Sequence, residues 1–258
     1  MDPAGSKIAQ TGNEDLIDES GKEGAVTPIP YCGPAPAPGD IWMAWNLDAV
    51  LIATLALAAW LVRSRPLPVQ IGLGVLALAY VSPICALSAG LFSARSVHHL
   101  LIVFGAAPLL VGAVRLPKVP LSAAFAASVI VFWAWHVPAI YQWALASDAA
   151  YWLGQAALLA TSVLFWRTLL RRDTSAPAAF FTLIAMVMQM GLLGALITFA
   201  PDPLYAPHYL TTLQYGISPL EDQQLAGLIM WVGSLPLSLL AGWAVLARAL
   251  RRFQTAAA

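Results

Sequence analysis

Seven apolar runs alternate with short connections rich in charge and proline along this chain. They cover about 42–62, 69–92, 96–114, 121–143, 149–170, 177–200 and 222–247. A helix needs about 20 apolar residues to cross the hydrocarbon core of a bilayer, and each run meets that length. The connections Arg63-Ser-Arg-Pro-Leu-Pro68, Arg115-Leu-Pro-Lys118 and Arg171-Arg-Asp-Thr-Ser-Ala-Pro177 break the apolar pattern. The pattern predicts an all-α polytopic membrane protein, a seven-transmembrane-helix bundle over residues 42–247. No internal repeat is evident, and an odd number of spans argues against a simple duplication.

The ends of the chain differ in character. Residues 1–41 are acidic and Pro-rich, running through Asn13-Glu-Asp-Leu-Ile-Asp-Glu19 to Pro28-Ile-Pro-Tyr-Cys-Gly-Pro-Ala-Pro-Ala-Pro38. Seven of the thirteen acidic residues fall between Asp2 and Asp40. Such a segment buries too little apolar surface to offset its ordering entropy, so a disordered tail is expected. It has no early apolar core, and no cleavable signal peptide is expected. Residues 248–258 read as a short basic tail.

Composition agrees with the membrane reading. The chain is 60% hydrophobic and 10% charged, against about 25% charged in a soluble domain. Its net charge of zero leaves no electrostatic case for nucleic acid. Ten Trp and seven Tyr suit aromatic belts at the two lipid–water boundaries. Cys32 and Cys85 form neither a C-x-x-C pair nor a disulfide framework, and so do not fix the redox compartment.

The cations set an orientation. Arg63, Arg65, Arg115, Lys118, Arg167, Arg171, Arg172, Arg248, Arg251 and Arg252 fall on one side of a seven-span path, and only Lys7, Lys22 and Arg95 on the other. Positively charged loops stay inside, so the C-terminus is expected in the cytoplasm and the N-terminus outside. The connection 201–221 has no Lys or Arg and reads as external. On this path His98, His99, His136, His208, Asp48, Cys85, Glu221 and Asp222 all lie toward the outer face. Ionisable groups inside a membrane are costly and point to function.

His136 stands in Trp133-Ala-Trp-His-Val-Pro-Ala-Ile-Tyr141, roughly 7 Å inside the end of the fourth run at 1.5 Å per residue. Pro138 removes a backbone donor and should bend the helix and free the carbonyl of Ala134. His136 is open to two readings, a functional group or an interhelical hydrogen-bond partner. Adjacent helical positions point about 100° apart, so His98 and His99 should not chelate one ion together. His99 is the one expected to face the bundle. Met186 and Met190 share a helix face at i, i+4 and Met188 does not. Thioethers suit Cu(I), but Met also fills apolar cores. Gly191 and Gly194, which follow them, permit close helix approach. Ser218 and Glu221 match a capping box at the start of the last run. That pattern does not account for Asp222, Gln223 and Gln224.

Four segments carry a family resemblance: His98-His-Leu-Leu with Ala107-Pro-Leu-Leu110; Trp135-His-Val-Pro-Ala-Ile-Tyr141; Gly194-Ala-Leu-Ile-Thr-Phe-Ala-Pro-Asp-Pro-Leu-Tyr-Ala-Pro-His208; and Ser218-Pro-Leu-Glu-Asp-Gln-Gln-Leu-Ala-Gly-Leu-Ile-Met-Trp231. With them the chain resembles the CtaG-type family of cytochrome c oxidase assembly factors. The resemblance implies a non-enzymatic, multi-pass protein of the bacterial cytoplasmic (inner) membrane. It would help supply copper to a haem–copper oxidase or dock its nascent subunits, with oxidase subunits and other copper chaperones as partners. His99, His136, His208, Glu221 and Asp222 match polar positions in the family's motifs. The expected metal-handling residues are His99, His136, His208 and Asp222, with His98, Glu221, Met186 and Met190 as lesser candidates. Where many relatives carry histidines in the third and fifth runs, this chain has Arg95 and Gln155.

Two other functions fit the residues in part. A copper transporter wants polar groups through both halves of the bundle, and the inner half here is apolar. A haem-binding redox protein could use His99 and His136 as axial ligands. A retinal Schiff base is excluded, because Lys7, Lys22 and Lys118 all lie outside the runs.

Overall fold

Prolines and a few polar side chains decide where each helix of this chain starts and stops. The computed structural model describes residues 29–113 and 117–257. The first 28 residues of the expected tail and Arg115 lie outside them. Helix α1, Ala49–Val62, begins where the carboxylate of Asp48 accepts the N–H of Leu51 at 2.8 Å. It has 14 residues, about 21 Å of helix against a hydrocarbon core of about 30 Å. Helix α2, Leu67–Val81, starts on Pro66 and Pro68 and ends at Ser82. Pro83, which cannot donate to the preceding turn, opens α3, Pro83–Gly90, at 48° to α2.

Helix α4, Phe92–Leu100, does not run on as regular α-helix. It passes into a π-helical turn, Leu101–Ala106, and then a 3₁₀ turn, Leu110–Gly112. Helix α5, Leu121–Ala134, meets α6, Pro138–Ala146, at 76°. His136 therefore sits in the elbow between two helices rather than inside one. The carbonyl of Ala134, expected to be freed by Pro138, accepts the N–H of Val137 at 3.1 Å in a tight turn. Helices α7, Asp148–Leu169, and α8, Ala176–Thr198, start on the caps Ser147 and Ser175. Helix α9, Pro219–Ala257, continues through the expected basic tail.

The protein is all-helical over the described residues and is a membrane protein. Three helices, α7, α8 and α9 to Ala247, are long and apolar enough to cross a bilayer, and the bent pairs α2–α3 and α5–α6 raise the number to five. The seven continuous spans read from hydropathy are thus not seven continuous helices. The first run yields a helix that is too short, and the third loses its α-helical ladder after Leu100.

Helix α9 packs along α8 on one side and α4 on the other, and α7 packs on α5 and α6. The α8–α9 seam is backbone against backbone. A Cβ at Gly194 would lie 2.7 Å from the carbonyl oxygen of Gly227. At Gly191 it would meet only Trp231, at 3.5 Å, so of the two glycines Gly194 is the one the packing requires. Met186 and Met190 are buried against an apolar cavity of about 20 Å³ with Phe104, Phe132, Phe165 and Trp166, whereas Met188 is 66% exposed. The buried pair packs the core.

The chain ahead of α1 corrects two expectations. Cys32 and Cys85 form a disulfide, with Cα atoms 5.2 Å apart. From Ile29 onward the expected tail is ordered against the helix ends. Tyr31 stacks on Tyr151 with centroids 5.2 Å apart and meets Trp152 edge-on at 5.0 Å. Tyr215 donates from its hydroxyl to the carbonyl of Pro36 at 2.6 Å. Proline-rich chain already has restricted dihedrals, so a covalent tie, two ring contacts and one hydrogen bond suffice to fix it.

Candidate functional site

The Leu-Glu-Asp-Gln-Gln stretch at the start of α9 organises the end of the bundle where the disulfide lies. Ser218 and Glu221 form the expected reciprocal cap: the N–H of Glu221 donates to Ser218 Oγ at 3.2 Å, and the N–H of Ser218 donates to Glu221 Oε2 at 2.7 Å. Asp222 faces the other way. It is fully buried, and its Oδ2 accepts the N–H of Phe92 at 2.6 Å. Its Oδ1 accepts the N–H of Ser93 at 3.2 Å and the Ser93 hydroxyl. Leu91, the residue before α4, has no side chain able to cap, so a carboxylate from α9 satisfies the orphan donors of α4. Negative charge there also complements the helix dipole. Gln223 ties the loop after α8: its Oε1 accepts the N–H of Leu204 at 2.6 Å, and its Nε2 donates to the carbonyl of Ile197 at 3.2 Å. These bonds account for the polar residues that the capping box alone leaves over, except the side chain of Gln224.

Anchored in this way, α4 carries Arg95, His98 and His99 into the bundle. Both histidines turn inward. His98 is fully buried with its ring edge-on to Tyr80 at 5.1 Å, and His99 lines a cavity. That cavity, of about 30 Å³, is walled by Arg95, His99, His136, Tyr141, Tyr151 and Gln155, with Trp135 and apolar side chains around them. The α5–α6 elbow delivers His136 and Tyr141, and α7 delivers Tyr151 and Gln155.

Hydrogen bonding sets the tautomers. His136 Nδ1 is 2.6 Å from the carbonyl of Phe132, which only accepts, so Nδ1 carries the proton and Nε2 keeps its lone pair. Gln155 accepts the hydroxyl of Tyr80 at 3.1 Å and directs its amide N–H at His99 Nε2, 3.5 Å away. His99 Nδ1 then holds the proton, is buried and has no partner. The rings of His99 and His136 stand edge to face with centroids 6.0 Å apart. Tyr205 donates to the carbonyl of His136 at 2.9 Å and stacks on Phe92 at 3.9 Å, fixing the elbow.

His208 lies one layer away, in the loop before α9. Its Nε2 is 2.6 Å from the hydroxyl of Tyr141. Burial, helped by the positive charge of Arg95, lowers its pKa to about 4. His208 is therefore a neutral acceptor for the tyrosine.

The sequence-predicted ligands are thus distributed rather than convergent. His98, His99 and His136 surround one region, His208 is engaged by Tyr141, Asp222 caps α4, and Glu221 caps its own helix. Among the described residues no three His, Cys, Asp or Glu side chains gather where a metal ion could sit. The disulfide also removes both thiols as ligands. Tyr141, Tyr151 and Tyr205, which sequence reasoning did not single out, complete the site. In the sequence Arg95 stood out only as a cation near a helix start and as a departure from the histidine that many relatives carry. Its 2% exposure and its guanidinium 5.5 Å over the ring of Tyr151 emerge only from the packing.

Comparison with known proteins completes the picture. No curated protein and no solved structure matches the chain. The family model described as cytochrome c oxidase caa3 assembly factor matches residues 115–252, just over half of the 258-residue chain. The matched region holds His136, Tyr141, Tyr151, His208, Glu221 and Asp222, the elbow, α7 and the caps that build the site. This chain belongs to the family of cytochrome c oxidase caa3 assembly factors.

Proposed function

We propose that the chain assists maturation of a haem–copper cytochrome c oxidase by docking the nascent oxidase at the outer face of the bacterial cytoplasmic membrane. Family membership supports the assembly role. Two independent signals support an outward-facing disulfide end. Ten of the thirteen cations fall on the opposite side of a seven-crossing path. Disulfides such as Cys32–Cys85 persist in oxidising compartments. In this reading α1 and the broken α4 segment supply two crossings beside the five that helix length alone supports.

The observation that carries docking is the tied outer surface. The Cys32–Cys85 bridge, the Tyr215–Pro36 bond and the bond from Thr211 to the carbonyl of Gly90, 2.7 Å, hold the segment before α1 to the loop before α9. Trp42, Met43, Leu210 and Leu213 are exposed on these segments. A surface ordered in advance loses little conformational entropy on binding a partner.

Copper delivery is a second reading, favoured by the free Nε2 lone pair of His136 beside His99. Copper would be cargo here, and imidazole is a suitable ligand for it. Oxidase activity and the haem a spectrum, measured in membranes of a strain lacking the protein, test both readings. Loss of activity together with haem a supports docking. Loss of activity with haem a retained supports failed copper loading. Unchanged activity and spectra would sink the assembly role.

A further inference from the structure

We infer that the cavity beside Arg95 binds a small monovalent anion of halide size, held by the guanidinium of Arg95 and the Nδ1–H of His99. Arg95 is 2% exposed, and arginine does not lose its proton inside a protein. A buried charge is costly unless it is paired. Arg95 has no carboxylate partner, since the one ion pair among the described residues joins Arg171 to Asp173. Asp222, the buried carboxylate at this end, is already occupied by Phe92 and Ser93. The ring of Tyr151 offers a cation–π contact at 5.5 Å. The hydroxyls of Tyr141 and Tyr151 also interact with the guanidinium, which still leaves its Nε and Nη2 without partners.

Hydrogen-bond polarity points the same way. Arg95 Nε, Arg95 Nη2 and His99 Nδ1 are buried and without partners, and both residues line the same cavity. With His99 Nε2 accepting from Gln155, all three of these atoms are donors. Three buried donors without partners, two of them on a guanidinium, describe an anion site on their side of the cavity. The volume agrees: about 30 Å³, where one water takes about 10–15 Å³ on the same measure. A halide fits, and a phosphate with its shell of oxygens does not. The lone pair of His136 Nε2 repels an anion, so the contacts fall on the Arg95–His99 side. The site does not depend on the oxidase reading, because it is defined by Arg95, His99, Gln155 and the cavity they line.

The test uses the full chain purified in detergent. Thermal midpoints are read in sodium chloride, bromide and gluconate, titrated at constant ionic strength. The expected result is a saturable rise in chloride and in bromide, none in gluconate, and loss of the dependence in Arg95→Met. Equilibrium dialysis of the wild-type protein with radiolabelled chloride gives a second readout that needs no variant. One chloride per chain, displaced by bromide and not by gluconate, supports the site. Equal midpoints in the three salts, a salt effect shared by Arg95→Met, or no retained chloride would overturn it. If Arg95→Met does not fold, dialysis on the wild-type chain decides the matter.

Discussion

Asp222 of α9 accepts the backbone N–H of Phe92, 2.6 Å away at the start of α4, across 130 residues of sequence. One carboxylate thereby fixes the helix that carries Arg95, His98 and His99. Hydrogen bonds to a charged acceptor contribute about 1.5–3 kcal/mol each, and a helix cap about 1 kcal/mol. Asp222→Ala should therefore cost roughly 3 kcal/mol and lower the thermal midpoint by about 6–12 °C in a protein of this size. Asp222→Asn keeps one carbonyl acceptor and should lose about half as much. A wild-type midpoint for Asp222→Ala, measured by unfolding in detergent, would show that the cap does not hold α4.

The α8–α9 seam distinguishes two glycines of α8 that lie three residues apart, Gly191 and Gly194. Gly194→Val forces a side chain into the carbonyl of Gly227, which is backbone and does not yield. Overpacking of this kind costs about 1–3 kcal/mol, and more where nothing relaxes. Gly191→Ala puts a methyl at ordinary contact distance from Trp231 and should leave the midpoint within about 0.5 kcal/mol of wild type. Equal behaviour of the two variants, in folded yield and in midpoint, contradicts the seam.

The helical class of this chain is written in its apolar runs, and so is the capping box of Ser218 and Glu221. Both depend on neighbours within one turn. The elbow at His136 was half legible: Pro138 announced a break, but the 76° bend comes from a turn that reuses the carbonyl of Ala134. Long-range partners left no local trace. Asp222 finds Phe92 across 130 residues, and Cys32 finds Cys85 across 53. Neither spacing signals a pairing. The third run failed as a continuous helix for a related reason, since hydropathy counts apolar side chains and says nothing of the π turn after Leu100.

The disulfide predicts both stability and sidedness. Closing a 53-residue separation removes denatured-state entropy worth about 2–4 kcal/mol. Cys32→Ser should lower stability by that order and release the segment before α1 from Tyr151 and Trp152. The protein without reductant should take up no maleimide, and two equivalents after reduction. In reduced whole cells with the outer barrier removed, a membrane-impermeant maleimide should label the chain from outside. Labelling that requires lysis places this end in the cytoplasm and reverses the proposed orientation.

His208 gives the pH dependence its sign. Its pKa is about 4 in the folded chain and about 6.5 unfolded. The folded state thus binds fewer protons than the unfolded state between those values, so stability rises with pH across the window. The contribution is complete above about pH 6.5 and is lost as pH falls toward 4. A gap of that width corresponds to about 3 kcal/mol. His208→Gln keeps an acceptor near the hydroxyl of Tyr141 and removes the titration. Its stability should fall less than that of wild type between pH 6.5 and pH 4, by about 3 kcal/mol at the acid end. The difference between the two curves isolates His208 from the other buried histidines. Parallel curves would mean that His208 is protonated in the folded state, and that Tyr141 then accepts from it instead of donating.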